Sequence, residues 1–145
     1  MELKIKRLHP DAIMPTYGSD GAACFDLYAV HCSPNTEVYA PRNFQTGLAV
    51  EVPKGYALMI YSRSGHGFNS DTRLANCVGV VDSDYRGEVM VKLTRDGSWS
   101  AYLRVSPGDR IAQAMLIPVP RLKLVEVDEL SETVRGAGGF GSTGA

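Results

Sequence analysis

Acidic, aromatic and glycine residues crowd around one reversal of the chain, within residues 76–93. A β-branched run leads into Asp82 and an alternating apolar segment returns from Val89, a pattern that predicts a β-hairpin. One Asn, Asp or Gly usually satisfies such a turn, yet this one has two acids, a tyrosine and two flanking glycines. Since Gly79 and Gly87 lack side chains, a flat ligand could approach the main chain and bond to its N–H and C=O groups. We interpret the hairpin as a pocket wall that recognises a nucleobase.

Two other stretches carry groups that bind phosphate. Arg63, Ser64 and Gly65 combine a bidentate donor, a hydroxyl and a glycine N–H, although the same tripeptide also fits an ordinary solvated turn. Residues 135–144 place one arginine, one phenylalanine and a Ser-Thr pair among five glycines, groups that could bind anions and stack on a ring. No strand precedes and no helix follows this tail, so Walker and Rossmann loops do not fit. We interpret it as a flexible phosphate lid, with a frayed terminus as the alternative.

Two polar residues interrupt predicted strands that are otherwise apolar. Asp26 lies within residues 24–30, and Gln113 lies within residues 111–119. Because a buried charge needs a partner, Asp26 is either a hydrogen-bonded structural carboxylate or a residue with a metal-related role. Gln113 is either satisfied across a sheet or directed at a ligand. The residues alone leave both pairs of alternatives open.

The elements that must position these groups are short strands separated by turn residues. Apolar residues alternate with other residues within residues 3–6, 44–52, 56–61, 99–105 and 122–126, the period of a half-buried strand. Turns such as Pro107-Gly108-Asp109 separate these segments. No segment has a convincing helical period, and Gly67 weakens the one short helix that could follow Arg63. Many evenly spaced strands without helices predict an all-β sandwich, jelly roll or barrel.

Composition excludes several classes of partner. The 145 residues suit one domain with its own core, and 15 basic against 16 acidic residues favour neither polymeric nucleic acid nor an anionic membrane. The cysteines at positions 24, 32 and 77 lack metal-binding spacing and are odd in number, which argues against zinc and against a disulfide framework. No signal core or membrane-spanning run is apparent. We therefore expect a soluble protein of the reducing cytoplasm.

Five blocks of the chain, in fixed order, resemble the five motifs of the trimeric dUTP diphosphatase (dUTPase) family. They are residues 21–29, 63–65, 76–88, 108–113 and 135–144, and together they span almost the whole chain. The most specific are Gly-Val-Val-Asp-Ser-Asp-Tyr-Arg-Gly and Arg-Gly-Ala-Gly-Gly-Phe-Gly-Ser-Thr-Gly. The resemblance implies an all-β jelly-roll subunit at residues 1–130 and a mobile, glycine-rich C-terminal arm at residues 131–145 that closes the active site. It also implies a homotrimer with three active sites, each shared among three chains.

The resemblance further implies the reaction and the catalytic roles. The reaction is hydrolysis of dUTP to dUMP and pyrophosphate by water attack at the α-phosphorus, which lowers the dUTP available for DNA synthesis and supplies dUMP for dTMP synthesis. Asp82 resembles the residue that orients and activates the water. Tyr85 resembles the ring that packs under the deoxyribose and excludes a 2′-hydroxyl. Asp26 resembles the carboxylate that holds water ligands of a Mg²⁺ ion on the triphosphate.

The remaining implied contacts bind the substrate. The uracil and sugar contacts are Asn76, Gly79, Val80, Val81 and Met90. The phosphate contacts are Arg63, Ser64, Gly65, Gln113 and Arg135. Two further substrate contacts lie in the arm: Phe140, which stacks over the base, and Gly141.

The chain departs from the family pattern in two places. Cys24 stands where the family often has a small residue, and His66 begins a sequence that replaces the frequent Leu-Ala. Nothing in the sequence gives His66 an orienting partner.

Two rival functions are compatible with many of these features. One is a dCTP deaminase, which shares the fold but needs a site for water attack on the base and lacks the Asp-Ser-Asp-Tyr turn and the Phe-bearing lid. The other rival is a non-enzymatic jelly-roll trimer that binds nucleotide or a partner protein as a regulator.

Overall fold

The computed structural model of the chain describes residues 1–32, 42–96 and 105–139. Strands dominate these residues, as the sequence predicts. In chain order the elements are β1 (Lys4–Arg7), β2 (Thr16–Tyr17), β3 (Phe25–Tyr28), β4 (His31–Cys32), β5 (Arg42–Glu51), β6 (Tyr56–Tyr61), α1 (Ser64–Ser70), β7 (Thr72–Leu74), β8 (Val78–Val81), β9 (Glu88–Arg95) and β10 (Arg110–Pro118). No helix in these three described ranges has the length and apolar character that crossing a membrane requires.

The strands form two antiparallel sheets. The first sheet has the order β1-β5-β9-β7, with β4 also paired to β5, and the second has the order β2-β3-β10-β6-β8. Strand β9 buries alternate residues, Val89, Val91 and Leu93, as expected for a strand with one face on a core. The jelly-roll fold class is confirmed.

Large apolar side chains from both sheets fill the space between them. Phe44 of β5 and Leu74 of β7 come from the first sheet, and Leu58 of β6 and Ile111 of β10 come from the second; each is 2% exposed or less. Because interiors pack as densely as organic crystals, this layer fixes the spacing and mutual angle of the sheets. It thereby fixes the loops that connect them.

The predicted hairpin at residues 76–93 is wrong, although both of its strands exist. Strand β8 pairs with β6 in the second sheet, whereas β9 pairs with β5 and β7 in the first. The connection, residues 82–87, therefore crosses from one sheet to the other. Alternation along each strand determines which residues are buried but does not determine which strand becomes its neighbour.

A short helix, α1, follows Arg63, where a helix is considered from the sequence but discounted because of Gly67. Two N–H groups, those of His66 and Gly67, donate to the carbonyl of Arg63 in its first turn. The helix ends at Asp71, which adopts a left-handed conformation with φ 47°. Seven residues with two glycines are too short and too poor in helix formers to show a helical period, so tertiary packing supports this turn.

Two other predicted strands differ in outcome. Residues 122–126 belong to no strand, so that prediction is wrong for the chain taken alone; an alternating segment needs a free strand edge to pair with. Most of the predicted strand at residues 99–105 lies outside the described residues. Of it, Val105 is described, and it lies in no strand.

Strand β5 bulges where it faces the start of β9. Gln45 aligns with Met90 and Ala49 aligns with Glu88, so three residues of β5 oppose one residue of β9. Gly47 in this bulge has φ +66°, and an added Cβ would lie 2.9 Å from the Cβ atoms of both Ala12 and His9. Only glycine combines this conformation with so little space.

Candidate active site

An open groove of about 280 Å³ lies at β8, the 82–87 loop and the start of β9. It contains every residue outside the C-terminal arm that the sequence predicts for base, sugar and water: Asn76, Gly79, Val80, Val81, Asp82, Tyr85 and Met90. Ile60, Glu88 and Val89 line it as well. Although the two strands are not a hairpin, the crossing between the sheets keeps these residues together. We refer to this surface as the groove.

The two glycines of the groove make room for side chains of the chain itself. Gly79 faces its cross-strand partner Ile60, and an added Cβ would lie 3.1 Å from the Cβ of that residue. At Gly87 an added Cβ would overlap the phenol of Tyr85. Internal packing therefore excludes a side chain at Gly87 and leaves little room for one at Gly79, a reason for these glycines that the sequence pattern does not reveal.

Two hydrogen bonds hold Tyr85 in the groove. The main-chain N–H of this residue donates to the carbonyl of Asp82 at 3.2 Å, and the hydroxyl of its ring donates to the carbonyl of Glu88 at 3.1 Å. The residue is still 46% exposed, so the ring presents a surface that a ligand can contact. Asp82, at the end of β8, is exposed, and its carboxylate has no hydrogen bond or ion pair within the described part of the chain.

A second group of polar residues lies across the middle of the second sheet. Gln113 aligns with Asp26 on one side and with Tyr61 on the other. The Asp26 carboxylate accepts a hydrogen bond from Arg63 Nε at 3.2 Å and another from Arg110 Nη1 at 3.2 Å, and its side chain is only 13% exposed. We call Asp26, Arg63, Arg110, Gln113 and His66 the polar cluster.

Residues of α1 extend the polar cluster. Ser64 and Gly65 are exposed and occupy the first turn of α1, where N–H groups have no partner within the helix. Arg63 precedes the helix without capping it by a side-chain bond. Gln113 Nε2 donates to the carbonyl of Ser62 at 3.1 Å, which orients its amide from the neighbouring strand.

His66 belongs to the polar cluster, with Arg63 as its partner. Its Nε2 lies 3.4 Å from Arg63 Nη1, and its Nδ1 is buried without a hydrogen-bond partner. Burial, and then the Arg63 guanidinium, lower the pKa of His66. The imidazole is therefore held neutral and can accept a hydrogen bond from Arg63.

Three predicted contacts lie in the C-terminal arm. Arg135 is exposed, and its Nε donates to the carbonyl of Gly138 at 2.7 Å; it contacts neither the groove nor the polar cluster. Phe140 and Gly141 lie outside the described residues. The lid function of the arm stays a prediction.

The described residues contain no cluster of protein side chains that could bind a metal ion by themselves. Among them no three His, Cys, Asp or Glu side chains are grouped so that they could hold an ion, and Cys24 and Cys77 are free. Burial, and then the Asp26 carboxylate, raise the pKa of the Cys24 thiol. The half-buried Cys24 thiol is therefore protonated near neutral pH.

Asp26 of the polar cluster and the groove lie apart in one chain. Asp26, Gln113, Tyr61 and Val78 are consecutive in one row across four strands, so Asp26 is three strand spacings, roughly 14 Å, from the start of β8. Asp82 lies four residues further along the chain from Val78. The Asp26 carboxylate is therefore separated from the groove by the width of β10 and β6.

Two residues of these sites are missed by the sequence analysis. Arg110 lies within the fourth family-like block but receives no role there, and Glu88 is the last residue of the third block. Both depend on strand register: Arg110 reaches Asp26 across the β3 and β10 pair, and Glu88 reaches the β5 bulge. Neither role can be predicted from the sequence without knowing which strands are neighbours.

Comparison with known proteins gives a consistent result. The dUTPase family model matches residues 10–144. The deoxyuridine 5′-triphosphate nucleotidohydrolase of Nautilia profundicola is 42% identical over 147 residues, covering 99% of each chain, and that of Wolinella succinogenes is 44% identical over 144 residues, covering 99% of this chain and 95% of the relative. A mutant of the Staphylococcus bacteriophage 80alpha dUTPase with dUpNHpp matches the fold with TM-score 0.86 at 24% identity, covering 99% of both chains.

Proposed function

The chain belongs to the dUTPase family, and on this premise we propose how its own residues hydrolyse dUTP to dUMP and pyrophosphate. One observation carries the proposal. The groove gathers the predicted base and sugar contacts beside the Asp82 carboxylate, which has no partner within the described residues. Such a carboxylate is available to accept a proton from water.

Uracil recognition is assigned to the outer edge of β8. Within the described residues β8 pairs only with β6, so the N–H and C=O groups on its other side have no strand partner. Uracil presents an N3–H donor between two carbonyl oxygens, which a strand edge can match with its own alternating groups. We assign these contacts to Gly79, Val80 and Val81, with the Asn76 amide ahead of the strand.

The sugar and the attacking water are assigned to the end of β8 and the loop after it. The Tyr85 ring packs under the deoxyribose and Met90 lies beside it, so a 2′-hydroxyl would have to displace the ring. Asp82 takes a proton from a water molecule as that water attacks the α-phosphorus, and pyrophosphate departs. Neutralisation of the developing phosphate charge comes from the cations of the polar cluster.

The triphosphate is assigned to the polar cluster. Its phosphate contacts are Arg63, Ser64, Gly65 and Gln113, with Arg135 from the arm. Phe140 is proposed to stack over the base and Gly141 to contact the substrate as the arm closes. The dUMP formed would supply dTMP synthesis, and removal of dUTP would limit its use in DNA synthesis.

Enzymes of this family generally use a divalent metal, and we propose Mg²⁺ for this chain. Asp26 fits such an ion, because a carboxylate has about four acceptor positions and Arg63 and Arg110 use only two of them. It can still accept hydrogen bonds from waters of an ion that is carried on the triphosphate. When bound, the ion would neutralise phosphate charge.

We propose that the enzyme is a homotrimer in which the groove of one chain faces the polar cluster of another. The separation of Asp26 from the start of β8 within a chain supports this assignment. So does the segment from residue 119 to 134, which exposes large apolar side chains within the described part of the chain: Leu122 is 74%, Leu124 90% and Leu130 86% exposed. Side chains of this kind are normally buried against another subunit.

Mixed trimers test the shared site directly. Arg63→Ala damages only the polar cluster and Asp82→Asn damages only the groove, so each homotrimer should be nearly inactive. When the two variants are unfolded together and refolded at equal amounts, about a quarter of the sites should combine an intact groove with an intact cluster. Pyrophosphate release should then recover to that fraction of the wild-type rate.

The controls separate assembly from chemistry. Mixing the two variants without unfolding should restore no activity, and sedimentation should give the mass of three chains for each sample. If co-refolded trimers stay inactive, the groove and the cluster of the same chain act together. The shared site would then be wrong, whereas dUTP hydrolysis by the unmodified protein would be unaffected.

Gly87→Ala tests the placement of Tyr85. The added Cβ would overlap the phenol, so the ring must leave its position over the loop and its hydrogen bond to Glu88. A misplacement of this kind is expected to lower kcat/KM for dUTP by about 10- to 100-fold, measured as pyrophosphate release. Gly18→Ala is the matched control, because an added Cβ there meets no atom within 4 Å; equal losses in both variants would contradict the proposed role of the ring.

A further inference from the structure

Glu88 joins the groove to the bulge in β5. Its Oε1 accepts a hydrogen bond from the main-chain N–H of Gly47 at 2.8 Å, and its Oε2 is 3.4 Å from Gln45 Nε2. Its own carbonyl accepts the Tyr85 hydroxyl at 3.1 Å. One residue therefore connects a buried backbone position of the first sheet to the ring in the groove.

The bulge explains why a side-chain acceptor is needed at this position. Where β5 bulges, Gly47 has no aligned partner on β9, so its buried N–H lacks a normal ladder bond. The Glu88 carboxylate accepts from it instead, a charge-assisted bond to a backbone N–H. Thr46, which is fully buried, similarly donates its hydroxyl to the carbonyl of Val89 at 2.6 Å.

We infer that Glu88 is a positioning residue that fixes the Tyr85 ring against the sugar and thereby sets the discrimination between dUTP and UTP. The inference rests on the proposed contact between Tyr85 and the deoxyribose. The Tyr85 hydroxyl donates to the Glu88 carbonyl. The position of the ring therefore depends on the position of Glu88, the first residue of β9. The carboxylate holds that residue to a bulge at Gly47, where Ala12 and His9 leave no room for a side chain.

The test measures kcat/KM for dUTP and for UTP in a set of variants. Glu88→Ala should lower the dUTP to UTP ratio by about tenfold or more, since a poorly fixed ring leaves space for the 2′-hydroxyl. Glu88→Gln keeps an acceptor for the Gly47 N–H and should restore the wild-type ratio. Thr46→Val is the matched control: it weakens the same bulge and should lower Tm while leaving the ratio within about twofold.

A double variant examines whether Glu88 acts through the ring. Tyr85→Phe removes only the hydroxyl that binds the Glu88 carbonyl, so it should reduce the ratio as Glu88→Ala does. Combining the two changes should give no further reduction, because both break one connection. Additive losses, or an equal loss of ratio in Thr46→Val, would overturn the inference.

Tyr85→Ala separates this inference from the proposed function. If Tyr85→Ala abolishes discrimination while Glu88→Ala retains it, the positioning role is wrong and the sugar contact stands. If Tyr85→Ala retains discrimination, the sugar contact fails and the inference fails with it. Failure of the unmodified protein to release pyrophosphate from dUTP would overturn the proposed function itself.

Discussion

Asp82→Asn is expected to lower kcat for dUTP hydrolysis by about 10²- to 10⁴-fold while substrate affinity stays nearly unchanged. Asn matches Asp in shape and can still orient a water molecule, but its amide cannot accept the proton that the attacking water must lose. Because Asp82 is exposed and unpaired within the described residues, the substitution leaves no buried group without a partner. Folding and assembly should therefore be preserved.

Single-turnover pyrophosphate release measures the chemical step, and titration with a non-hydrolysable dUTP analogue measures binding. Asp84→Asn is the matched control, since Asp84 is an exposed acid of the same loop that does not line the groove. It should keep its rate within about twofold, as surface substitutions usually do. Asp82→Asn with the wild-type rate, or an equal loss in both variants, would contradict the assignment of the base.

The second large effect concerns the base of the substrate. Turnover of dCTP is expected to be roughly 10⁴-fold less efficient than that of dUTP, because a site built to bond one hydrogen-bonding pattern leaves buried groups unpaired against another. Cytosine presents a ring-nitrogen acceptor and an amino group where uracil presents N3–H and a carbonyl. The β8 edge has little freedom to adapt, since pairing with β6 holds its backbone in place.

Parallel assays of pyrophosphate and ammonia with dUTP, dCTP and dTTP measure this selectivity. Rejection of dTTP would show that the backbone lies close to C5 of the base, where thymine carries a methyl group. Equal pyrophosphate release from dUTP and dCTP would contradict recognition by the β8 edge. Ammonia from dCTP without pyrophosphate would support a deaminase instead.

The sequence predicts those strands whose alternation is strong, and it fails where the outcome depends on distant partners. Strands β3, β5, β6 and β10 follow directly from their apolar patterns. The hairpin fails because β8 and β9 satisfy the same pattern when they lie in different sheets. Helix α1 is missed because its few residues, with Gly65 and Gly67 among them, carry almost no helical signal.

The groove is predictable because its residues are nearly contiguous in the chain, so any connection that keeps the strand ends near each other assembles them. The Glu88 anchor is not predictable, since it depends on a bulge that only the register of β5 and β9 reveals. The pairing of Arg63 and Arg110 with Asp26 likewise requires the order β3-β10-β6. The alternation at residues 122–126 predicts a strand, but this segment pairs with no strand edge among the described residues.

The distance between the groove and Asp26 within one chain has a consequence for the proposed trimer in the cell. With shared centres, a newly made chain would be inert until it met two others, so turnover at low expression would rise as a steep power of chain concentration. A chain damaged on one surface would still contribute its intact surface to a neighbour, so a mixture with normal chains would lose activity only in proportion to the damaged chains.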